Sequence, residues 1–220
     1  MMNHFAGFSA VTSLYHIQND YKNYLLIGSG GVLELINLDD NHSLSRLPIF
    51  KDCSTHQIHG IFRQSQHLFL IFGGKTLKSV QIDFQNGCLI EEKTEIESQL
   101  QDWILDAQVF QGRIYAITAH NNVLILSQRK NETINKCSDE KCILYSATLV
   151  AEEEELVVLG GTVFKQVIVW TCNQGDFKLH HRLEGHEGVI FSVQYDSKLS
   201  LICSTSDDRS ARSGMPVIAF

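Results

Sequence analysis

Several groups of residues have the types and spacing that could do chemistry, and each would need a particular setting. Gly73-Gly74-Lys75-Thr76 resembles the end of a phosphate-binding loop, where backbone N–H groups and a Lys cradle phosphate. The full pattern needs a Gly five residues before Gly74, and that residue is Phe69. The flanking residues are strand-like on both sides, so the segment reads as a strand-to-strand turn. Cys137 and Cys142, with His180, His181 and His186 downstream, could suggest zinc. Their C-x4-C spacing is loose and no second paired motif follows, so no metal is assigned. Asp102 and Asp106 lie four apart, which is one face of a helix or a strand and so a possible acid–base pair. The residues between them are apolar, and Asp106 falls on a position that recurs along the chain. Four consecutive carboxylates, residues 152–155, fit a solvated hairpin turn; the sharper alternative is a docking patch for a basic partner. Arg209 and Arg212 stand beside Asp207 and Asp208 and balance them rather than bind phosphate. No strand, Gly-rich turn and helix follow one another as a methyl-donor site would require. No catalytic, cofactor-binding or metal residue is therefore assigned, and the chain is read as no enzyme.

The elements that would position these residues repeat. His56-Gln57-Ile58-His59-Gly60-Ile61-Phe62 lines up on Trp103-Ile104-Leu105-Asp106-Ala107-Gln108-Val109. Both line up on Ile143-Leu144-Tyr145-Ser146-Ala147-Thr148-Leu149 and on Val189-Ile190-Phe191-Ser192-Val193-Gln194-Tyr195. The anchors His59, Asp106, Ser146 and Ser192 are 47, 40 and 46 residues apart. Each segment is followed by an apolar run, a turn of small or polar residues, and in the first three by another apolar run. An earlier copy of these runs lies at residues 24–38, and Gly28, Gly73 and Thr118 are spaced by 45 and 45. Short runs rich in Val, Ile, Leu and Phe, bounded by Gly, Asn or Asp, predict strands. Their near-continuous apolarity means that both faces are covered, as when small sheets are stacked on one another. Repeats of this length with four short strands each are propeller blades. Residues 91–100 are a polar linker with room for one helical turn.

Composition sets outer bounds. The chain has 220 residues, 44% hydrophobic and 20% charged, with only two prolines, so a sizeable core is expected and disorder is not. A net charge of −7 argues against this surface gripping a phosphate backbone by itself. The first residues carry no signal-peptide pattern, and no run reaches the length of a membrane span. The six scattered cysteines then read as reduced thiols in a cytoplasmic protein, and the sequons at Asn41 and Asn131 as bare.

The sharpest repeat is the last, Gly185-His186, then Val189 to Tyr195, then Ser204-Thr205-Ser206-Asp207-Asp208-Arg209-Ser210. It resembles the WD-repeat family, whose His, Ser or Thr, Asp and Trp form one hydrogen-bonded set. By that resemblance the set is His186, Ser204 and Asp208, while the position of the Trp holds Gly214. Trp170 ends the apolar run of the preceding blade, but no Gly-His opens that blade. The expected fold is an all-β, incomplete WD-repeat β-propeller, with residues 1–212 forming about four blades plus part of a fifth and 213–220 a non-matching tail. A partial ring exposes unpaired edges, so the chain is expected to be a fragment or a truncated product, marginally stable alone.

Two strands together are more specific. Asp102-Trp103-Ile104-Leu105-Asp106-Ala107 ahead of His120-Asn121-Asn122-Val123, and Gly185-His186-Glu187-Gly188-Val189-Ile190-Phe191-Ser192 ahead of Ser206 to Arg212, resemble the N-terminal propeller of the WD repeat-containing protein six family. The likeness runs over residues 15–212. It implies a non-catalytic scaffold subunit that supports 2′-O-ribose methylation of the tRNA wobble nucleotide. The implied partner is a FtsJ-like methyltransferase, which supplies the S-adenosylmethionine chemistry, with tRNA reached through the complex. The alternative is a generic WD-repeat adaptor, such as a ubiquitin-ligase substrate receptor.

Overall fold

The computed structural model describes residues 10–51, 57–93, 96, 99–127, 132–136, 142–173 and 176–214. His56, Cys53, Asn131, Cys137 and most of the 213–220 tail lie outside them. The chain divides into two compact units, Met1–Gln101 and Asp102–Phe220. It is all-β: the described residues form antiparallel meander sheets of an incomplete WD-type propeller, and no helix occurs among them. Accordingly none of those residues lies in a helix long and apolar enough to cross a membrane.

Unit one holds two four-stranded sheets. The first is β1 (Val11–Asn19), β2 (Lys22–Ser29), β3 (Val32–Asn37) and β4 (His42–Pro48); the second is β5 (Ile58–Arg63), β6 (Leu68–Gly73), β7 (Thr76–Asp83) and β8 (Cys88–Glu92). Glu91 and Glu92 thus belong to a strand, and Gln99 makes an isolated bridge to Thr76, so the described part of the 91–100 linker is extended. Between β6 and β7 only Gly74 and Lys75 remain, with Gly74 at φ +59°. The Gly-Gly-Lys-Thr segment is therefore a two-residue hairpin turn, in the left-handed conformation glycine takes without penalty. Leu26, Leu33, Leu35, Ile58, Phe69 and Ile71 belong to one core shared by the two sheets.

Unit two holds three sheets. They are β9 (Ile104–Phe110), β10 (Arg113–Thr118), β11 (Asn122–Leu126) and β12 (Glu132–Lys136); β13 (Leu144–Ala151), β14 (Leu156–Thr162), β15 (Val167–Asn173) and β16 (Asp176–Leu183); and β17 (Ile190–Asp196), β18 (Leu201–Ser206) and β19 (Ala211–Gly214). The middle sheet is covered on both faces. Side chains alternate across a strand, and here the two sets enter different cores. Leu156 and Val158 of β14, with Ile168 and Trp170 of β15, pack in a cluster with Ile117, Val123 and Leu144. Val157 and Leu159, with Val167 and Val169, pack with Ile190, Val193 and Ile202. Every residue of β14 is buried as a result, which is why its sequence is a continuous apolar run.

The repeat is real at the level of register, with one adjustment. In every sheet the first strand carries an irregularity just after its start, skipping Thr12, His59, Leu105, Tyr145 and Phe191 in turn. His59 therefore matches Leu105 and not Asp106, whose counterpart is Gly60. Composition hid the slip, because a one-residue shift exchanges faces and both faces here are largely apolar. The residues paired with the strand starts are Ser29, Gly73, Thr118, Thr162 and Ser206, spaced by 44, 45, 44 and 44. Ser29, not Gly28, is thus the equivalent of Gly73. In the last sheet the third strand is present but short. Gly214 pairs with Ile202 just as Trp170 pairs with Val158, so the position that resemblance gives to a Trp is occupied by glycine at an exposed sheet end.

Close approach of neighbouring sheets demands glycine at one site in each unit. A Cβ on Gly28 would lie 2.6 Å from Ile58 Cγ2, and one on Gly161 would lie 2.6 Å from Ile190 Cγ2. Both partners are the buried first residues of the next sheet. Gly161→Ala is expected to lower stability by about 1–3 kcal/mol through overpacking. Gly214→Ala, with open space around it, serves as the near-neutral control. Chemical denaturation of both variants checks this, and equal midpoints would contradict the packing argument.

Candidate functional site

His186, Ser204 and Asp208 come from three separate places: the segment before β17, the middle of β18, and the turn after it. Sheet pairing brings them together. His186 Nδ1 lies 2.8 Å from Asp208 Oδ2, and Nε2 lies 2.9 Å from Ser204 Oγ. Asp208 ionised can only accept, so Nδ1 carries the proton and Nε2 accepts from the Ser204 hydroxyl. The carboxylate is saturated by other donors. Glu187 N reaches Oδ2 at 2.8 Å, and Ser210 N and Ser210 Oγ reach Oδ1 at 2.8 and 2.6 Å. The Ser210 hydroxyl first, and then the Glu187 N–H, hold the Asp208 carboxyl well below the usual carboxylate range, against the opposing effect of burial. His186 and Ser204 are buried. Every polar atom in the set faces another, which suits a brace for the turn rather than a group waiting for substrate.

Three further polar devices in unit two were not legible in the sequence. The first is the side chain that ends each second strand. Thr118 Oγ1 accepts from Asn122 N, Thr162 Oγ1 from Phe164 N and Gln166 N, and Ser206 Oγ from Asp208 N. The second is a carboxylate–imidazole pair in the first sheet of the unit. Asp102, before β9, accepts from Trp103 N at 2.8 Å, from His120 N at 3.0 Å and from His120 Nδ1 at 2.9 Å. His120 occupies the turn position that Asp208 holds in the last sheet. Burial pushes the Asp102 carboxyl up, but the His120 backbone and ring, Trp103 N–H and Thr118 hydroxyl outweigh it and hold the group below its ordinary value. The third is Asp106, which joins two sheets. Its Oδ2 accepts from Leu149 N on β13 at 2.7 Å and its Oδ1 from Ala107 N at 2.8 Å. Burial there pushes the carboxyl up to about 6, only partly offset by those two N–H donors. At the equivalent place in the next sheet, Ser146 Oγ donates to Ile190 O at 3.1 Å. Asp102 and Asp106 thus have separate partners and do not form an acid–base pair.

The comparisons with known proteins address what such blades belong to. No protein-family profile matches the chain. It is 29% identical to the "tRNA (34-2'-O)-methyltransferase regulator WDR6" of Rattus norvegicus over 205 residues, 86% of this chain. The Homo sapiens protein of the same name gives 29% over 206 residues, and that of Drosophila melanogaster 22% over 180 residues, 68% of this chain. By these matches the chain is WDR6-like. It spans only 17–18% of the length of these relatives. Their shared name describes regulators of a tRNA methyltransferase, not the enzyme itself. Among solved structures, the computationally designed Ika8 protein superimposes with a TM-score of 0.60 at 14% identity, over 93% of this chain and 58% of that one. At that identity the likeness speaks to the fold alone.

The remaining candidates of the WDR6-like chain find plain places. Residues 152–155 form the turn between β13 and β14, closed by Glu152 N donating to Glu155 O at 2.9 Å. Cys142 sits in an apolar cluster, and no three His, Cys, Asp or Glu side chains converge as a metal site among the described residues. Cys88, Cys142, Cys172 and Cys203 are thiols and form no disulfide. His180 Nε2 lies 2.9 Å from Thr171 Oγ1. Arg212 lies over Gly185, its Nη1 2.8 Å from where a Cβ would stand.

Ser204→Ala leaves the buried His186 Nε2 without its partner, and should cost about 1–3 kcal/mol in a denaturant titration. A change under a few tenths would show the set to be dispensable. The pH dependence is carried by two carboxylates of opposite sign. The raised pKa of Asp106 means stability fully present below its ordinary pKa and lost as pH rises through about 6. The lowered pKa of Asp208 means stability present above the ordinary carboxylate range and lost on stronger acidification. Asp106→Ser, the residue at the equivalent positions 146 and 192, should remove the decline between pH 4 and 6 that is expected in melting curves of the parent chain. An unchanged profile would locate that titration elsewhere.

Proposed function

We propose that this chain is a non-catalytic scaffold that supports 2′-O-ribose methylation of the tRNA wobble nucleotide by a FtsJ-like partner methyltransferase. The observation that carries the reading is the match along 86% of the chain to relatives named as regulators of that modification. The polar groups of unit two support it. His186, Ser204 and Asp208 satisfy one another and fix a turn, and the carboxylates Asp102 and Asp106 are each engaged in holding backbone. On this reading the set is a structural brace. The propeller segment covers 1–212, and the 213–220 tail departs from the family pattern although Ser213 and Gly214 still pair with β18. The partner brings S-adenosylmethionine and works with this chain in the cytoplasm.

A scaffold contributes by position. Rigid sheets hold loops at fixed separations, so a bound enzyme meets its tRNA at raised effective concentration and in one orientation. The test is capture of the purified FtsJ-like methyltransferase by this chain, and by a version extended past residue 212, with both shown to be folded. The expected outcome is a stable complex with this chain and faster wobble-ribose methylation of tRNA by the enzyme when the chain is added. Folded chains that neither bind nor stimulate the enzyme would end this reading.

A further inference from the structure

In unit two, five large apolar side chains stand in solvent along one connected path. Trp103 is 45% exposed, Ile143 42%, Tyr145 55%, Phe164 58% and Phe191 49%. Backbone contacts link the segments that bear them. Ala119 N donates to Trp103 O at 3.0 Å, and Leu144 N donates to Ala119 O at 2.8 Å. Val163 N donates to Ile143 O at 3.1 Å, which sets Phe164 beside the start of β13. The rings of Tyr145 and Phe191 then meet across two sheets with centroids 5.2 Å apart. Tyr145 and Phe191 are also equivalent bulge positions of their first strands.

The surroundings are acidic. Asp102 adjoins Trp103, and its carboxyl is held ionised by its donors. Glu187 precedes β17, and Asp207 N donates to Val189 O at 3.0 Å, two residues before Phe191. Glu184 accepts from Gln166 at the turn that carries Phe164. With Asp208 these carboxylates outnumber the cations Lys165, Arg209 and Arg212 on the same segments. Such a frame repels a phosphate backbone and, on a chain of net charge −7, disfavours a second copy of itself. Contiguous exposed aromatics with a charged rim are the makings of a protein interface, in which buried rings supply affinity and rim charges select the partner.

We propose that the path from Trp103 through Ile143, Tyr145 and Phe164 to Phe191 is the docking surface for a protein segment that carries apolar side chains flanked by Lys or Arg. This rests on the reading above, and the segment belongs to the methyltransferase. Apolar groups of that segment cover the rings, and its cations meet the exposed Glu187 and Asp207.

The test measures affinity of the full chain for the immobilised methyltransferase, and separately for tRNA. Tyr145→Ser with Phe164→Ser is expected to weaken enzyme binding by about tenfold or more, as loss of two anchor rings does. Glu187→Lys with Asp207→Lys should weaken it as well and flatten its dependence on salt. Leu199→Ser, at a 65% exposed residue away from these segments, should bind as the parent does. If the double Ser variant melts early, Phe164→Ser alone, a turn residue held through its backbone N–H, replaces it with a smaller loss expected. Parent-like enzyme binding by the aromatic and the charge variants would overturn the surface while leaving the scaffold reading intact. Loss of tRNA binding with enzyme binding unchanged would assign the path to RNA instead. A folded parent chain that captures no enzyme would overturn both.

Discussion

Coverage of both faces of a small sheet, as at β14, is the constraint on which this architecture rests. A sheet with one face in water can alternate apolar and polar residues; β14 cannot. Its odd and even positions enter separate cores, Leu156 and Val158 in one, Val157 and Leu159 in the other. A single strand therefore couples the sheets on either side of it. Burial of each such side chain stabilises by roughly 1.5–3 kcal/mol, and half of that contribution in β14 depends on each neighbour. The Gly161–Ile190 and Gly28–Ile58 approaches follow from the same demand, because stacked sheets come close only where one of them lacks a side chain.

Legibility followed the range of the interaction. The runs of Val, Leu and Ile, the turns between them and the repeat itself are local, and four full sheets and a shorter fifth lie where those runs predict them. Register was less legible. His59 aligned with Asp106 by eye, yet pairing puts Gly60 there, because a strand buried on both faces carries little pattern to distinguish one face from the other. The inter-sheet bond from Asp106 was invisible for a different reason. Its partner is the backbone N–H of Leu149, and a backbone group has no letter in a sequence. The spacing of His186, Ser204 and Asp208 could be read only because a family resemblance supplied the expectation that they meet.

Taken with the relatives, the polar chemistry of this chain points inward. Asp102, Asp106, His186 and Asp208 brace turns or join sheets through neighbouring N–H and hydroxyl groups. Around the first strands of unit two and the turns beside them, apolar rings stand outward beside the exposed carboxylates Glu187 and Asp207.

The Thr or Ser at the end of each second strand of unit two has a consequence of its own. Thr118, Thr162 and Ser206 lock their turns through hydrogen bonds to backbone N–H groups. Two places further on stand His120, Phe164 and Asp208: an imidazole, a phenyl ring and a carboxylate on one frame. The lock lies two residues earlier and works through backbone N–H groups, so the side chain at this place differs from sheet to sheet on one hairpin frame. At Phe164, whose backbone N–H makes the lock, recognition can be rewritten by one residue while the hairpin stays as it is, whereas His120 and Asp208 are tied by side-chain bonds to Asp102 and His186.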